Sequence, residues 1–310
     1  MSQGNFPERA DRLAQIAGGL ALGQDFPLFK SAPLPPASFK KLRDVVNLYI
    51  FTTLSGFFGD QDITLSDDIF TEQAELIRQL PNRTPNGLLL PKKQTYLAYN
   101  MVHAAVAEIF TQCGFSAHVD RIHSPINIRV VDGEYDPKVD LRPRASAKWH
   151  LDLWSGEPAG AIMFFLPVLG DTKNVAVRWI EPTEVPPALL RPLADFDEGK
   201  ALIDGGQEYD LAFEPGNVAL SDPFLVHATQ KTTRALRLSI DFRFVAADIC
   251  PGDAEAPGTR DVNYIDFADW DDIGRGRILS TSAPLEPFTE ADDRAKDHYA
   301  AEFRTIPIDG

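Results

Sequence analysis

A mainly β core wrapped by helices, an α+β class, is predicted by three features of this sequence. Helical spacing dominates the residues before about 113, alternation with period two begins after Ser124, and both patterns fade over residues 251–288. Of the 310 residues, 44% are hydrophobic and 24% charged, as in ordinary folded proteins. β folds with helical additions reach this length as one unit. Residues 1–310 are therefore expected to form a single domain, with a helical jacket over 1–113, the core over 124–246 and a wrapping tail over 247–310.

The elements follow in order. Glu8 to Leu22 places Leu13, Ile16, Ala17 and Leu20 near helical spacing before Gly23, and Ser38 is positioned to cap a helix through Phe51. Between them Pro27 to Pro36 reads as an extended, proline-rich connector. A third helix is expected over Asp67 to Leu80, burying Ile69, Phe70, Leu76 and Ile77. A loop over Pro81–Gly87 precedes a fourth helix, Gln94 to Cys113.

Alternating Ile126–Val131, ended by the turn pair Asp132-Gly133, reads as a strand. Its polar residues Asn127 and Arg129 share one face, which either looks into the core and contacts substrate or is the solvated face of an edge strand. Residues 133–146 form a loop. Ala161–Val168 is apolar on both faces, as a strand covered on both sides must be, and Asn174–Glu181 is a further strand before a rim insertion over 182–207. Tyr209–Phe213 and Asn217–Asp222, joined by Glu214-Pro215-Gly216, are expected to form a hairpin leading to His227. The last core strand runs from Arg237 to Val245, an ordered tail covers 251–288, and Thr289 caps a terminal helix to Phe303.

Acidic residues outnumber basic ones by 45 to 30, a formal charge of -15, which repels phosphate backbones and argues against nucleic acid as a partner. Cys113 and Cys250 are too few and too far apart for a disulfide framework or zinc ribbon. No stretch suits a membrane span or secretory leader, so no membrane partner and a cytoplasmic location are expected. Asn82-Arg83-Thr84 then reads as a polar turn rather than a glycosylation site.

The chemistry is concentrated in Lys148-Trp149-His150-Leu151-Asp152-Leu153-Trp154 and two residues downstream. On an extended strand His150 and Asp152 point the same way, and His227 ends an apolar run. Arg237 follows ten residues later and opens Arg237-Leu238-Ser239. Two imidazoles and a carboxylate on one face of an octahedral metal leave three positions open, a pattern suited to non-haem Fe(II) oxygenases. His103, His118, His123 and His298 lack such context and read as core or surface residues.

The order His-x-Asp, distant His, then Arg-x-Ser resembles the Fe(II)/2-oxoglutarate-dependent dioxygenase superfamily over roughly residues 125 to 245. The resemblance implies a double-stranded β-helix, or jelly roll, with His150, Asp152 and His227 as iron ligands and catalytic centre. It implies 2-oxoglutarate as cosubstrate bound by Arg237 and Ser239, O2 as oxidant and ascorbate as stimulant. Halogenases related to this family replace the carboxylate with a small residue, so Asp152 favours oxygenation. The expected reaction is hydroxylation or other oxidation of an unactivated C–H bond in a small molecule such as an amino acid or natural-product intermediate, releasing succinate and CO2. Arg243 either holds a substrate anion or pairs with Asp241, and Trp154, like Trp149 and Trp270, is either a pocket wall or core. A cupin-like metalloenzyme is the competing class, but it favours further ligands near the first and no histidine lies between His150 and His227. A non-catalytic jelly-roll binding protein would not need the intact ligand set.

Overall fold

The computed structural model describes residues 6–18, 26–211, 213–247, 263–286 and 303–308. In chain order it begins with helix α1 (Phe6–Ile16), strand β1 (Phe29–Pro33), and helices α2 (Pro36–Phe57), α3 (Ile69–Glu72), α4 (Ala74–Arg78) and α5 (Tyr96–Gln112). Strands β2 (Val119–His123) and β3 (Asn127–Asp132), the short helix α6 (Pro137–Asp140), and strands β4 (Ala161–Gly170) and β5 (Val177–Glu181) follow. Then come β6 (Gln207–Tyr209), β7 (Asn217–Ser221), β8 (Val226–Thr229) and β9 (Leu236–Ala246). The described part of the tail adds β10 (Tyr264–Asp266), α7 (Phe267–Asp271), β11 (Arg277–Thr281) and β12 (Phe303–Pro307).

The strands build two antiparallel sheets and a small separate pair, β11 with β12. The larger sheet runs β1-β7-β4-β9-β2-β10, with β3 also on β9; the smaller runs β6-β5-β8. β4 follows one edge of β9, while β2 and β3 share the other edge in succession. All eleven residues of β9 are buried, yet its two faces differ completely. Leu238, Ile240, Phe242 and Phe244 join the large apolar core under α2 and α5, whereas Arg237, Ser239, Asp241 and Arg243 alternate onto the face opposite the smaller sheet.

The jacket packs through helical spacing. Leu42, Val46, Tyr49, Ile50 and Leu54 of α2 and Tyr99, Val102, Val106 and Phe110 of α5 are fully buried in that core. Tyr49 and Tyr99 are held by hydrogen bonds of 3.0 Å to the carbonyls of Leu89 and Ile126, so neither phenol is left unpaired. On the other side of the larger sheet, Phe29, Met163, Phe165 and Ala219 meet Trp179 and Tyr209 of the smaller sheet. The apolar-on-both-faces reading of β4 matches this arrangement, since every residue from Ala161 to Leu169 is buried.

Several expectations are corrected. Within Pro27–Pro36 lies an edge strand, β1, hydrogen-bonded to β7, a pairing that local sequence cannot specify. The helix expected over Asp67–Leu80 is broken at Gln73 (φ -104°, ψ 22°), which lets Phe70 and Ile77 both reach the core. The expected hairpin before His227 does not form: β6 pairs with β5 in one sheet and β7 lies between β1 and β4 in the other. Its turn is a corner between sheets, fixed by Gly216 (φ 90°) donating to Pro167 and accepting from Leu34. His227 sits on a strand of its own, β8. The tail contributes a strand, β10, paired with β2. The terminal helix expected from Thr289 lies outside the described residues, except that Phe303 begins β12.

Phe110 meets Phe115, Phe164, Phe242, Phe244 and Trp270 in one aromatic cluster joining α5, β4 and β9. Phe110→Ala should lower unfolding stability by about 3–5 kcal/mol in urea titration, the scale of a large core truncation. Met101→Ala, on the exposed side of the same helix, should change it by about 0.5 kcal/mol or less.

Candidate metal centre

His150 and His227 face each other across a short antiparallel bridge, each backbone N–H donating to the other's carbonyl at 2.9 Å. Their rings stand 4.3 Å apart between centroids. Nδ1 of His150 lies 2.8 Å from the Lys148 carbonyl and Nδ1 of His227 lies 3.4 Å from that of Leu225. Proton donation from Nδ1 to those carbonyls leaves Nε2 of each ring as the lone-pair donor, an arrangement common among metal-binding histidines. Phe196, from the rim insertion, stacks on His150 at 4.6 Å and 2° and fixes the ring plane.

Asp152 arrives differently from the expected extended strand. It opens a 3-10 turn, Asp152–Ser155, closed by Gly156 in the left-handed region (φ 106°). The turn carries the carboxylate to the imidazoles, with Oδ1 3.6 Å from His227 Nε2. One donor atom each from His150, Asp152 and His227 lies within 4.8 Å of the others, and all three residues are buried. Burial lowers the His150 imidazole to about 3 and lowers His227 as well. Burial by itself would raise Asp152, but the Arg243 guanidinium and the two imidazoles outweigh it and hold the carboxyl below its usual range. Two neutral imidazoles and one anionic oxygen donor are a set that fits a divalent transition metal.

The three residues open onto a cavity between the sheets, and β9 supplies its charged wall. Arg243 forks onto Asp152, Nε to Oδ2 and Nη2 to Oδ1, both at 2.8 Å, and its Nη1 donates to Asp241. Asp241 also accepts from Asn127 Nδ2 and Arg129 Nε, each at 2.9 Å, and Arg129 reaches on to the Asn86 carbonyl at 2.8 Å. Asn127 and Arg129 thus face the cavity rather than solvent, with their polar groups taken up by Asp241 and the Asn86 carbonyl. Arg243 is committed to carboxylates of the protein, which corrects its candidacy as a substrate-anion contact. Trp154 is corrected too: it is fully buried with Leu153, Phe196 and Leu202, donates to the Leu189 carbonyl at 3.0 Å, and does not line the cavity. Trp270 likewise lies in the core beneath the jacket.

Arg237, farther along the same wall, is 2% exposed. It donates to the Val175 carbonyl and lies over the Phe165 ring, but among the described residues no carboxylate forms an ion pair with it, and its Nε has no acceptor. Burial and the neighbouring Arg129 guanidinium lower it to about 9. Ser239 is fully buried, with no hydrogen-bond partner for Oγ. A buried cation without a counter-ion and a buried hydroxyl without a partner fit an anionic ligand entering the cavity.

Sequence reasoning missed some of the cavity wall. Glu157 is 3% exposed and accepts from Tyr264 Oη at 2.8 Å, and His123 also lines the cavity. Arg144, from the loop expected over 133–146, is steered by a 2.9 Å bond to the Leu193 carbonyl. Phe196 had no local signal, while Glu157, just beyond the Gly156 turn, was detectable only as an acidic residue close to Asp152. His103 conforms to its core reading: it meets the Trp270 carbonyl at 2.9 Å, and burial lowers it to about 4.

No protein-family model matches this sequence, and no curated protein does. Among solved structures, the chain is similar to an N-substituted L-amino acid dioxygenase from Burkholderia ambifaria AMMD, with 14% identity, TM-score 0.39, and coverage of 77% of this chain and 91% of that one. It is also similar to AviO1 from Streptomyces viridochromogenes Tue57 (14% identity, TM-score 0.41, 81% and 99% covered). EctD from S. alaskensis with bound Fe is a third, at 16% identity, TM-score 0.38, and 70% and 72% covered. Likenesses this distant assign no family, and the chemistry rests on the residues of the site.

The segment leading to His227 is anchored from the far end of the chain. Arg9 Nη1 of α1 bonds both oxygens of fully buried Asp222 at 3.1 Å and stacks over Phe224, while Arg12 approaches the same carboxylate at 3.4 Å. Arg9→Met should destabilise the protein by about 3 kcal/mol or more in denaturant titration, because it strips the main counter-ion from a buried carboxylate.

Proposed function

We propose that this chain is an Fe(II)- and 2-oxoglutarate-dependent oxygenase that hydroxylates or otherwise oxidises an unactivated C–H bond of a small molecule, such as an amino acid or natural-product intermediate. The observation that carries the reading is the coexistence, in one cavity, of the His150/Asp152/His227 cluster and Arg237, which has no carboxylate partner among the described residues, with the unpartnered hydroxyl of Ser239 two residues along the same strand. The two facing antiparallel sheets support a double-stranded β-helix as the fold, within one domain that includes the helical jacket.

The residues divide the work. His150 and His227 would hold the metal through Nε2 and Asp152 through a carboxylate oxygen. Arg237 offers a planar fork matched to a carboxylate, and Ser239 adds a hydroxyl donor, so together they would receive the distal carboxylate of 2-oxoglutarate. When bound together, ferrous iron and the keto acid supply oxidising power drawn from O2, with succinate and CO2 as coproducts. The aromatic walls, Phe165 and Phe196, exclude water from the reacting groups. Arg129, Asn127 and Asp241 are occupied with one another and act as framework.

The test is anaerobic addition of Fe(II) and 2-oxoglutarate, following the weak visible charge-transfer band of the chelate, with succinate release on substrate screening as the turnover assay. His227→Ala should abolish the band, and a band of parental intensity in that variant would refute the assignment. Arg237→Met should keep Fe(II) binding and weaken 2-oxoglutarate by about 2 kcal/mol, roughly 30-fold in Kd; an unchanged Kd would remove Arg237 from the site.

A further inference from the structure

Asp152 carries two oxygens, and a carboxylate can grip a metal through one or through both. Which it does matters in this site. Three protein donor atoms on an octahedral ion leave three positions, two for a chelating keto acid and one for O2, whereas a fourth protein donor removes one of them. The side of the Asp152 carboxylate on which both oxygens can be reached together is filled by Arg243, whose Nε and Nη2 run parallel to Oδ2 and Oδ1 at 2.8 Å. Both partners are buried, 7% and 4% exposed, so water does not compete for the fork.

The guanidinium is braced against swinging away. Nη1 is taken by Asp241, which Asn127 and Arg129 hold in turn, and Nη2 also touches Met163 Sδ at 3.5 Å. The strand register pairs Met163 of β4 with Arg243, and Asp241 lies two residues away on β9 itself, on the same face. The oxygen facing His227 is Oδ1.

We propose that Arg243 is a positioning residue that restricts Asp152 to one-oxygen coordination and thereby keeps the third open position of the metal free. This inference rests on the function proposed above. A lysine at 243 keeps the positive charge but meets the carboxylate with one flexible ammonium in place of a rigid fork, so it no longer fixes the orientation of its two oxygens. The carboxylate is then free to turn both of them onto the metal. Metal affinity is retained and keto-acid affinity falls, whatever the far end of the keto acid looks like.

The experiment titrates anaerobic, Fe(II)-loaded protein with 2-oxoglutarate and, separately, with pyruvate, which has the same chelating end and no distal carboxylate. Co(II) competition measures metal affinity. For Arg243→Lys the expected result is a metal Kd within about threefold of the parent and a rise of about tenfold or more in the Kd of both keto acids, by the same factor. Arg237→Met, as reference, should lose affinity for 2-oxoglutarate alone. The double variant Arg243→Gln with Asp241→Asn removes one positive and one negative charge together, and should reproduce the lysine result if the single variant is poorly folded. Keto-acid affinities at the parental level in a folded, metal-loaded variant would overturn the inference, as would a loss confined to 2-oxoglutarate or a loss of metal binding itself. If the parent protein gives no band with Fe(II) and 2-oxoglutarate, the functional reading fails first and the inference falls with it.

Discussion

A charge taken out of water has to be matched, and that requirement governs the centre of this molecule. Asp152, Arg243, Asp241 and Arg129 alternate in sign along a continuous chain of hydrogen bonds that ends on the Asn86 carbonyl. Removing any one member would strand a buried neighbour, a penalty of several kcal/mol. Strand β9 provides the middle two, β3 the last, and the turn after His150 the first. The candidate metal ligand is thus tied to the strand around which the larger sheet is built.

The same strand explains how a polar cavity survives inside a close-packed fold. Because side chains alternate, β9 turns Leu238, Ile240, Phe242 and Phe244 to the helices and Arg237, Ser239, Asp241 and Arg243 to the gap between the sheets. The apolar face is sealed by α2 and α5. The charged face looks across the cavity to the smaller sheet, where His227 on β8 and His150 on the neighbouring segment bridge backbone to backbone. From the outer side, α1 secures the approach to His227 through Arg9 and Asp222.

Within this network Arg237 and Ser239 are the exceptions. Nearly every other buried charge on that wall has a protein partner of opposite sign, while Arg237 has a carbonyl and an aromatic ring. Leaving a buried cation and hydroxyl under-satisfied costs stability, and such local expense is characteristic of sites shaped for a ligand rather than for folding.

The chain by itself determined the candidate residues of the site and most of the strands around them. His150, Asp152, His227, Arg237 and Ser239 stood out through their order and spacing and the apolar runs around His227 and Arg237, although the extended strand assumed for Asp152 is a turn, and the jacket helices stood out through 3.6-residue spacing. The tertiary structure alone decided the rest. That Asp152 leaves the strand for a turn, that Arg243 serves Asp152 rather than a substrate, that β1 and β10 complete the larger sheet, and that the expected hairpin splits between sheets all depend on partners distant in sequence. Arg243 and Asp152 stand 91 positions apart, Tyr264 and Glu157 107. A charged side chain announces that it needs a partner, but which of 45 acidic residues answers is fixed only when packing brings two strands to the same depth.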